Sequence, residues 1–208
     1  LPLLPPEETY LALFQGARRV AADCAGEPPR RDRAPLAPAP EVTALERWLR
    51  HWSAVRHRDG AERTLLTAIA AGAPPDVLVD LLLAAETDRV FADGGHSLDF
   101  INKAFECLDL IGFEHAGRVL PTVVGQMVRA RGRDEATAWR QPVDLVALLE
   151  RACAGLPARF AAGRGKGPWQ GHAALAQAVL GDDPESIVAA LEAAIGEGAA
   201  PHDLGRAV

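Results

Sequence analysis

Residues 94–106 of this chain read Gly94-Gly95-His96-Ser97-Leu98-Asp99-Phe100-Ile101-Asn102-Lys103-Ala104-Phe105-Glu106, and no other stretch gathers as many side chains able to do chemistry. An imidazole beside carboxylates can move protons, and nitrogen and oxygen donors together can hold zinc or iron. On a helix turning 100° per residue, Asp99, Lys103 and Glu106 fall at about 300°, 340° and 280° from His96, so the four share one face. Leu98, Ile101, Phe105 and Leu108 fall between about 120° and 200°, an apolar stripe on the opposite side, and Asn102 borders the two.

In a catalytic reading, His96 is the acid/base residue or ligand and Asp99 supports it. Lys103 orients an anionic substrate or neutralises the acids, while Asn102 and Glu106 face a cofactor. In a metal reading, His96, Asp99 and Glu106 supply ligands, and Glu86 adds one from the preceding helix, because bundle sites draw donors from several helices. Asp88 and His115 are further candidates from neighbouring helices. The competing reading is a solvated face, with Asp99–Lys103 and Lys103–Glu106 pairs at helical spacing and His96 near a helix N-terminus. The residues alone leave both open.

The elements that must position this segment are helical. The apolar residues are mostly Ala, Leu and Val with few aromatics, a composition that favours helices packed on helices. Periodicity predicts a helix over 7–22, a Pro-rich surface linker over 26–40 carrying Arg30, Arg31 and Arg33, and an amphipathic helix from Glu41 through Trp52. A turn is expected at Asp59-Gly60, then helices over 61–71 and from Pro74-Pro75 to about Asp88. Residues 91–96 form a loop leading into a helix over 96–111. The next helix, 113–131, contains Pro121 and is expected to bend or restart there. Gln141-Pro142 opens a helix through Ala154, and short helices cover 169–180 and 184–196. The expected organisation is an N-terminal helix (1–25), the linker (26–40), a helical domain holding the motif (41–160), and a further helical segment (161–208).

That last segment carries an internal repeat. Residues from Ala61 align without gaps on residues from Ile187, an offset of 187 − 61 = 126. Leu65 meets Leu191, Ile69 meets Ile195, Gly72 meets Gly198, Ala73 meets Ala199, Pro75 meets Pro201 and Leu78 meets Leu204. The shared unit is a helix end, a Gly-Ala-x-Pro connector and the start of the next helix. The counterpart of His96 would fall near position 222, so the second copy is expected to be cut short. The fold class is therefore all-α, a multi-helix bundle built from a diverged internal repeat.

Other features exclude more than they suggest. A net charge of −6 gives no global attraction for phosphate backbones, and no helix-turn-helix signature supports a repressor of tetracycline type that lacks its DNA-binding part. Cys24, Cys107 and Cys153 are far apart and show no zinc-like pairing, which suits reduced thiols in a cytoplasmic protein. Apolar runs are broken by charge every few residues, so no membrane span is expected. Residues 163–168 resemble a phosphate loop in composition only. Arg129, Arg131, Arg133 and Arg140 can form an anion-holding patch or simply suit a helix C-terminus. Trp48 and Trp52, one helical turn apart, read as core or interface anchors.

Residues 94–106, followed by Trp139-Arg140-Gln141-Pro142-Val143-Asp144-Leu145, resemble the helical region of an uncharacterised bacterial family often described as Rieske (2Fe-2S) domain-containing proteins. The resemblance spans about residues 61–144 and implies a redox context within a longer parent protein. The paired Cys-x-His motifs of a Rieske cluster do not occur here, so that cluster cannot be bound by this chain. The leading expectation is thus the helical domain of a metal- or haem-linked oxidoreductase centred on His96, with iron, zinc or haem as cofactor. Its partner would be a small-molecule substrate or an electron-transfer domain or protein, with room for a homo-oligomer. The rival is a non-catalytic helical scaffold that binds a protein or small molecule.

Overall fold

The computed structural model describes residues 5–29 and 31–207, so Arg30 of the basic cluster lies outside them. The chain divides into two compact units at residues 33/34. Every regular element among the described residues is helical.

The first unit holds one helix, α1 (Pro6–Cys24). Pro6 fits the first turn, where its missing N–H costs nothing, and Glu7 and Glu8 suit the positive end of the dipole. No residue of α1 is buried, and Tyr10, Leu11, Leu13, Phe14 and Val20 are exposed.

The second unit contains α2 (Val42–Ala54), α3 (Arg58–Ala70), α4 (Pro75–Thr87), α5 (His96–Ile111), α6 (Ala116–Arg129), α7 (Leu145–Gly163), α8 (His172–Val179), α9 (Pro184–Gly196) and α10 (Pro201–Ala207). Helix α2 packs on α3 and α4, and α6 lies against α3 and α5. Their shared core is aliphatic, with Leu45, Leu49, Leu65, Leu82, Leu108 and Met127 fully buried. Each such side chain stabilises the fold by about 1.5–3 kcal/mol. A second, smaller core joins Trp169 and Leu175 to Ala194, Ala199 and Ala207, and α7 packs on α9 beside it.

Several boundaries differ from the periodicity reading, each for a local reason. Helix α3 starts at Arg58 rather than after Asp59-Gly60, because His57 Nδ1 accepts the Gly60 N–H at 3.0 Å and caps the first turn. Gly60 is small where Trp52 lies, since a Cβ there would sit 2.6 Å from the indole. Residues 113–115 form a separate 3₁₀ turn, and α6 then runs through Pro121 without restarting. Helix α7 opens later than Pro142, at Leu145, where the Asp144 carboxylate accepts the Ala147 N–H at 2.9 Å. It continues past Ala154 to Gly163, with Pro157 inside. Helix α8 starts at His172 because Trp169 is used as a core residue instead. The linker expectation also needs amendment: Leu36 is half-buried, its N–H donates to Thr67 Oγ1 at 2.9 Å, and the Ala34 carbonyl accepts from Arg63 Nε at 3.0 Å.

Candidate functional site

Helix α5 spans the residues that periodicity assigned to it, and its polar face points to solvent as the spacing required. His96, Asp99, Asn102, Lys103 and Glu106 are all exposed. Lys103 Nζ donates to Glu106 at 2.8 Å and Asn102 Nδ2 donates to the same carboxylate at 3.0 Å. The hydrogen bond to Glu106 raises the Lys103 pKa, and the reciprocal bond lowers that of Glu106. Asp99 has no hydrogen-bond partner among the described residues, and its charge adds to the raising of the Lys103 pKa.

Glu86 stands apart from that face. It is buried on α4, Ser97 Oγ is hydrogen-bonded to its Oε1, and the Arg89 guanidinium lies 3.9 Å from Oε2. Burial raises its pKa, outweighing the opposing effects of Ser97 and Arg89. Arg89 in turn donates to the carbonyls of Met127 and Ala130 at 2.7 and 2.6 Å, closing the C-terminal end of α6. The cluster ties α4, α5 and α6 together.

The loop ahead of α5 is backbone-strained. Phe91 and Asp93 have φ of 45° and 49°, and Gly94 and Gly95 follow at 65° and 88°. Side chains with a Cβ seldom adopt this region, so the loop needs support from outside. It receives it from the segment after α6: Asp93 N–H donates to Arg131 O at 3.0 Å, and Arg133 N–H donates to Val90 O at 2.6 Å. Gln126 Nε2 reaches the Asp93 carboxylate at 3.1 Å, and the Phe91 ring lies 5.9 Å from that of Trp139. His96 Nδ1 sits 2.9 Å from the Asp93 carbonyl, a contact that places the proton on Nδ1 and leaves Nε2 as the lone-pair nitrogen.

Three of the four arginines expected to form an anion patch are engaged within the chain. Arg133 stacks 5.3 Å over Trp139, Arg140 pairs with Asp144 at 3.1 Å, and Arg129 Nε donates to the Gly125 carbonyl. Among the described residues, no three His, Cys, Asp or Glu side chains are arranged to hold a metal ion.

What the structure does build around α5 is a cleft of about 540 Å³ against α4, lined by Val79, Leu83, Leu98, Ile101 and Phe105, with Gly95, Asp99 and Asn102 on its rim. Of the expected site residues, it gathers Asp99 and Asn102. Leu98, Ile101 and Phe105 belong to the apolar stripe read from the spacing; Ile101 is buried, whereas Leu98 is exposed and Phe105 only half-buried. The signal for the cleft is in α4, whose Val77-Leu78-Val79-Asp80-Leu81-Leu82-Leu83 run is apolar on more than the one face that α2 can cover.

No protein-family model, no curated protein and no solved structure matches this chain. No helix among the described residues is long and apolar enough to cross a membrane.

Proposed function

We propose that this chain is a helical binding module that holds a small amphipathic molecule in the α4–α5 cleft. The observation that carries this reading is the cleft itself: about 540 Å³, apolar along its walls and acidic at one lip. That volume falls within the roughly 300–1,000 Å³ of small-molecule sites, which pair apolar walls with a few placed polar groups. The Asp99 carboxylate has no hydrogen bond to break among the described residues, and Asn102 spends one of its two amide N–H groups on Glu106 and keeps its carbonyl oxygen to accept. Both lip groups are therefore acceptors, and the ligand they suit carries an ammonium or another donor head on an apolar body.

The test is a titration of the full chain with phenethylamine and, separately, with phenylacetate, followed by amide and methyl NMR shifts. The reading expects saturable shifts at Leu83, Leu98 and Asn102 with the amine and none with the acid. Asp99→Asn should weaken the amine about fivefold or more, as expected for losing one charged acceptor. Equal binding of both compounds, or shifts elsewhere, would refute it.

A second reading keeps His96 as an acid/base residue of an oxidoreductase serving a small substrate or an electron-transfer partner. One feature favours it: the Asp93 carbonyl fixes the imidazole with Nε2 as the free base nitrogen. Here His96→Ala should abolish turnover with helicity unchanged, and undiminished turnover would sink the assignment.

A further inference from the structure

A second cleft, about 410 Å³ in volume and apolar along most of its lining, lies against α2 and α3. Trp48 and Trp52 form its floor, one helical turn apart on α2. His57 packs against the Trp52 ring at a centroid distance of 5.1 Å, and Gly60 lets the indole lie flat on α3. Arg63 and Asp59 stand at the rim.

The chain's own proline-rich stretch reaches the cleft through one residue, Leu36. Residues 34–40, Ala34-Pro35-Leu36-Ala37-Pro38-Ala39-Pro40, run without helix, and the Leu36 side chain lines the cleft. Two groups of α3 hold the strand at alternate residues: Arg63 Nε donates to the Ala34 carbonyl and Thr67 Oγ1 accepts the Leu36 N–H. The Thr67 hydroxyl donates to the Arg63 carbonyl at 2.7 Å, which turns its lone pair to Leu36. Extended proline-rich chains offer carbonyls, few N–H groups and a preformed, low-entropy shape, and their readers use aromatic grooves flanked by polar donors.

We infer that the Trp48–Trp52 cleft is a docking site for a proline-rich segment of a partner protein, occupied at one edge by residues 34–40 as a built-in competitor. The occupant is argued from the contact already in place: Leu36 of a proline-rich segment lines this cleft, and Arg63 and Thr67 hold the segment's backbone on either side of Pro35. An incoming segment would displace Leu36, take over the Arg63 and Thr67 contacts, and lay proline rings on the two indoles. This site is separate from the α4–α5 cleft, and neither proposal depends on the other.

The experiment uses the full chain and a capped peptide with the sequence of residues 33–40, monitored through the four indole N–H signals. Expected are saturable shifts at Trp48 and Trp52, with Trp139 and Trp169 unmoved. In Leu36→Ala, which keeps the α3 contacts but weakens the competitor, the peptide should bind about fivefold more tightly, the effect of one half-buried aliphatic side chain. A peptide with every proline replaced by alanine should bind clearly less well. Absence of shifts at Trp48 and Trp52 in both proteins would overturn the inference. So would equal binding of the alanine peptide, or an unchanged affinity in Leu36→Ala.

Discussion

Helices α3 and α9 begin and end 126 residues apart (184 − 58 and 196 − 70), and the connectors that follow them share their central hydrogen bonds. Ala73 N–H reaches the Ala68 carbonyl at 3.0 Å, and Ala199 N–H reaches that of Ala194 at 2.9 Å. Gly72 and Gly198 both take positive φ and donate to Ile69 and Ile195, and Pro75 and Pro201 open the next helices. The surroundings differ. The helices flanking the first connector pack against α2, α5 and α6 in a core of large aliphatic side chains, and those flanking the second against α7 and α8 in a smaller core of Trp169, Leu175 and three alanines. Local chemistry thus sets the turn in both places, while the neighbouring helices decide how much surface is buried. Beside α4 the adjoining helix α5 leaves the cleft of about 540 Å³, whereas the second connector borders a smaller one of about 280 Å³ next to the end of α7.

The strongest way to break this comparison is to truncate the matched leucines. Leu65 is fully buried and Leu191 only half so. Leu65→Ala should cost about 3–5 kcal/mol and Leu191→Ala about 1–2 kcal/mol in denaturant unfolding. Equal losses would mean that the two settings are energetically alike.

Substituting the matched glycines sharpens it. A Cβ on Gly72 meets nothing within 4 Å, so Gly72→Ala should cost only the left-handed backbone penalty, about 1 kcal/mol. A Cβ on Gly198 would lie 3.2 Å from the Gly163 carbonyl and 3.1 Å from Lys166 Cβ, so Gly198→Ala should cost about 2 kcal/mol or more. The second connector would then be the more constrained despite its thinner core. A larger loss at Gly72, in the same unfolding experiment, would reverse that conclusion.

A smaller effect belongs to the first region alone. Burial raises the Glu86 pKa, so the folded state holds its proton more tightly than the unfolded chain. The associated stability is fully present below the ordinary carboxylate pKa and is lost as pH rises through the folded value. Glu86→Gln, which can still accept from Ser97, should raise the melting temperature at neutral pH. The gain should vanish in acid. A gain independent of pH would place the cost elsewhere.

These contrasts show what could be read in advance. The bounds of α5 and α9 and the polar face of α5 were legible because spacing alone determines them. The helix starts at Arg58 and Leu145 were not, because they depend on single capping contacts from His57 and Asp144. The site was legible only in part. Asp99 and Asn102 carry polar chemistry and so drew attention. Leu83, Leu98 and Phe105 look like core residues, and only the packing of α4 on α5 leaves them lining a cleft. Glu86 was expected beside His96 as a ligand, yet its hydrogen-bond partner is Ser97, one residue and about 100° further round the helix. The role of Gln126 and Trp139 in supporting the strained loop is tertiary and has no local signature.

The most direct test of the binding reading is to close the cleft without touching its acidic lip. Leu98 is exposed at the cleft wall, so Leu98→Trp can lay an indole across the mouth at little cost to the core. The account predicts that phenethylamine binding, followed by NMR on the full chain, is lost in this variant while its melting temperature stays near that of the parent. Undiminished binding in a folded Leu98→Trp protein would contradict it.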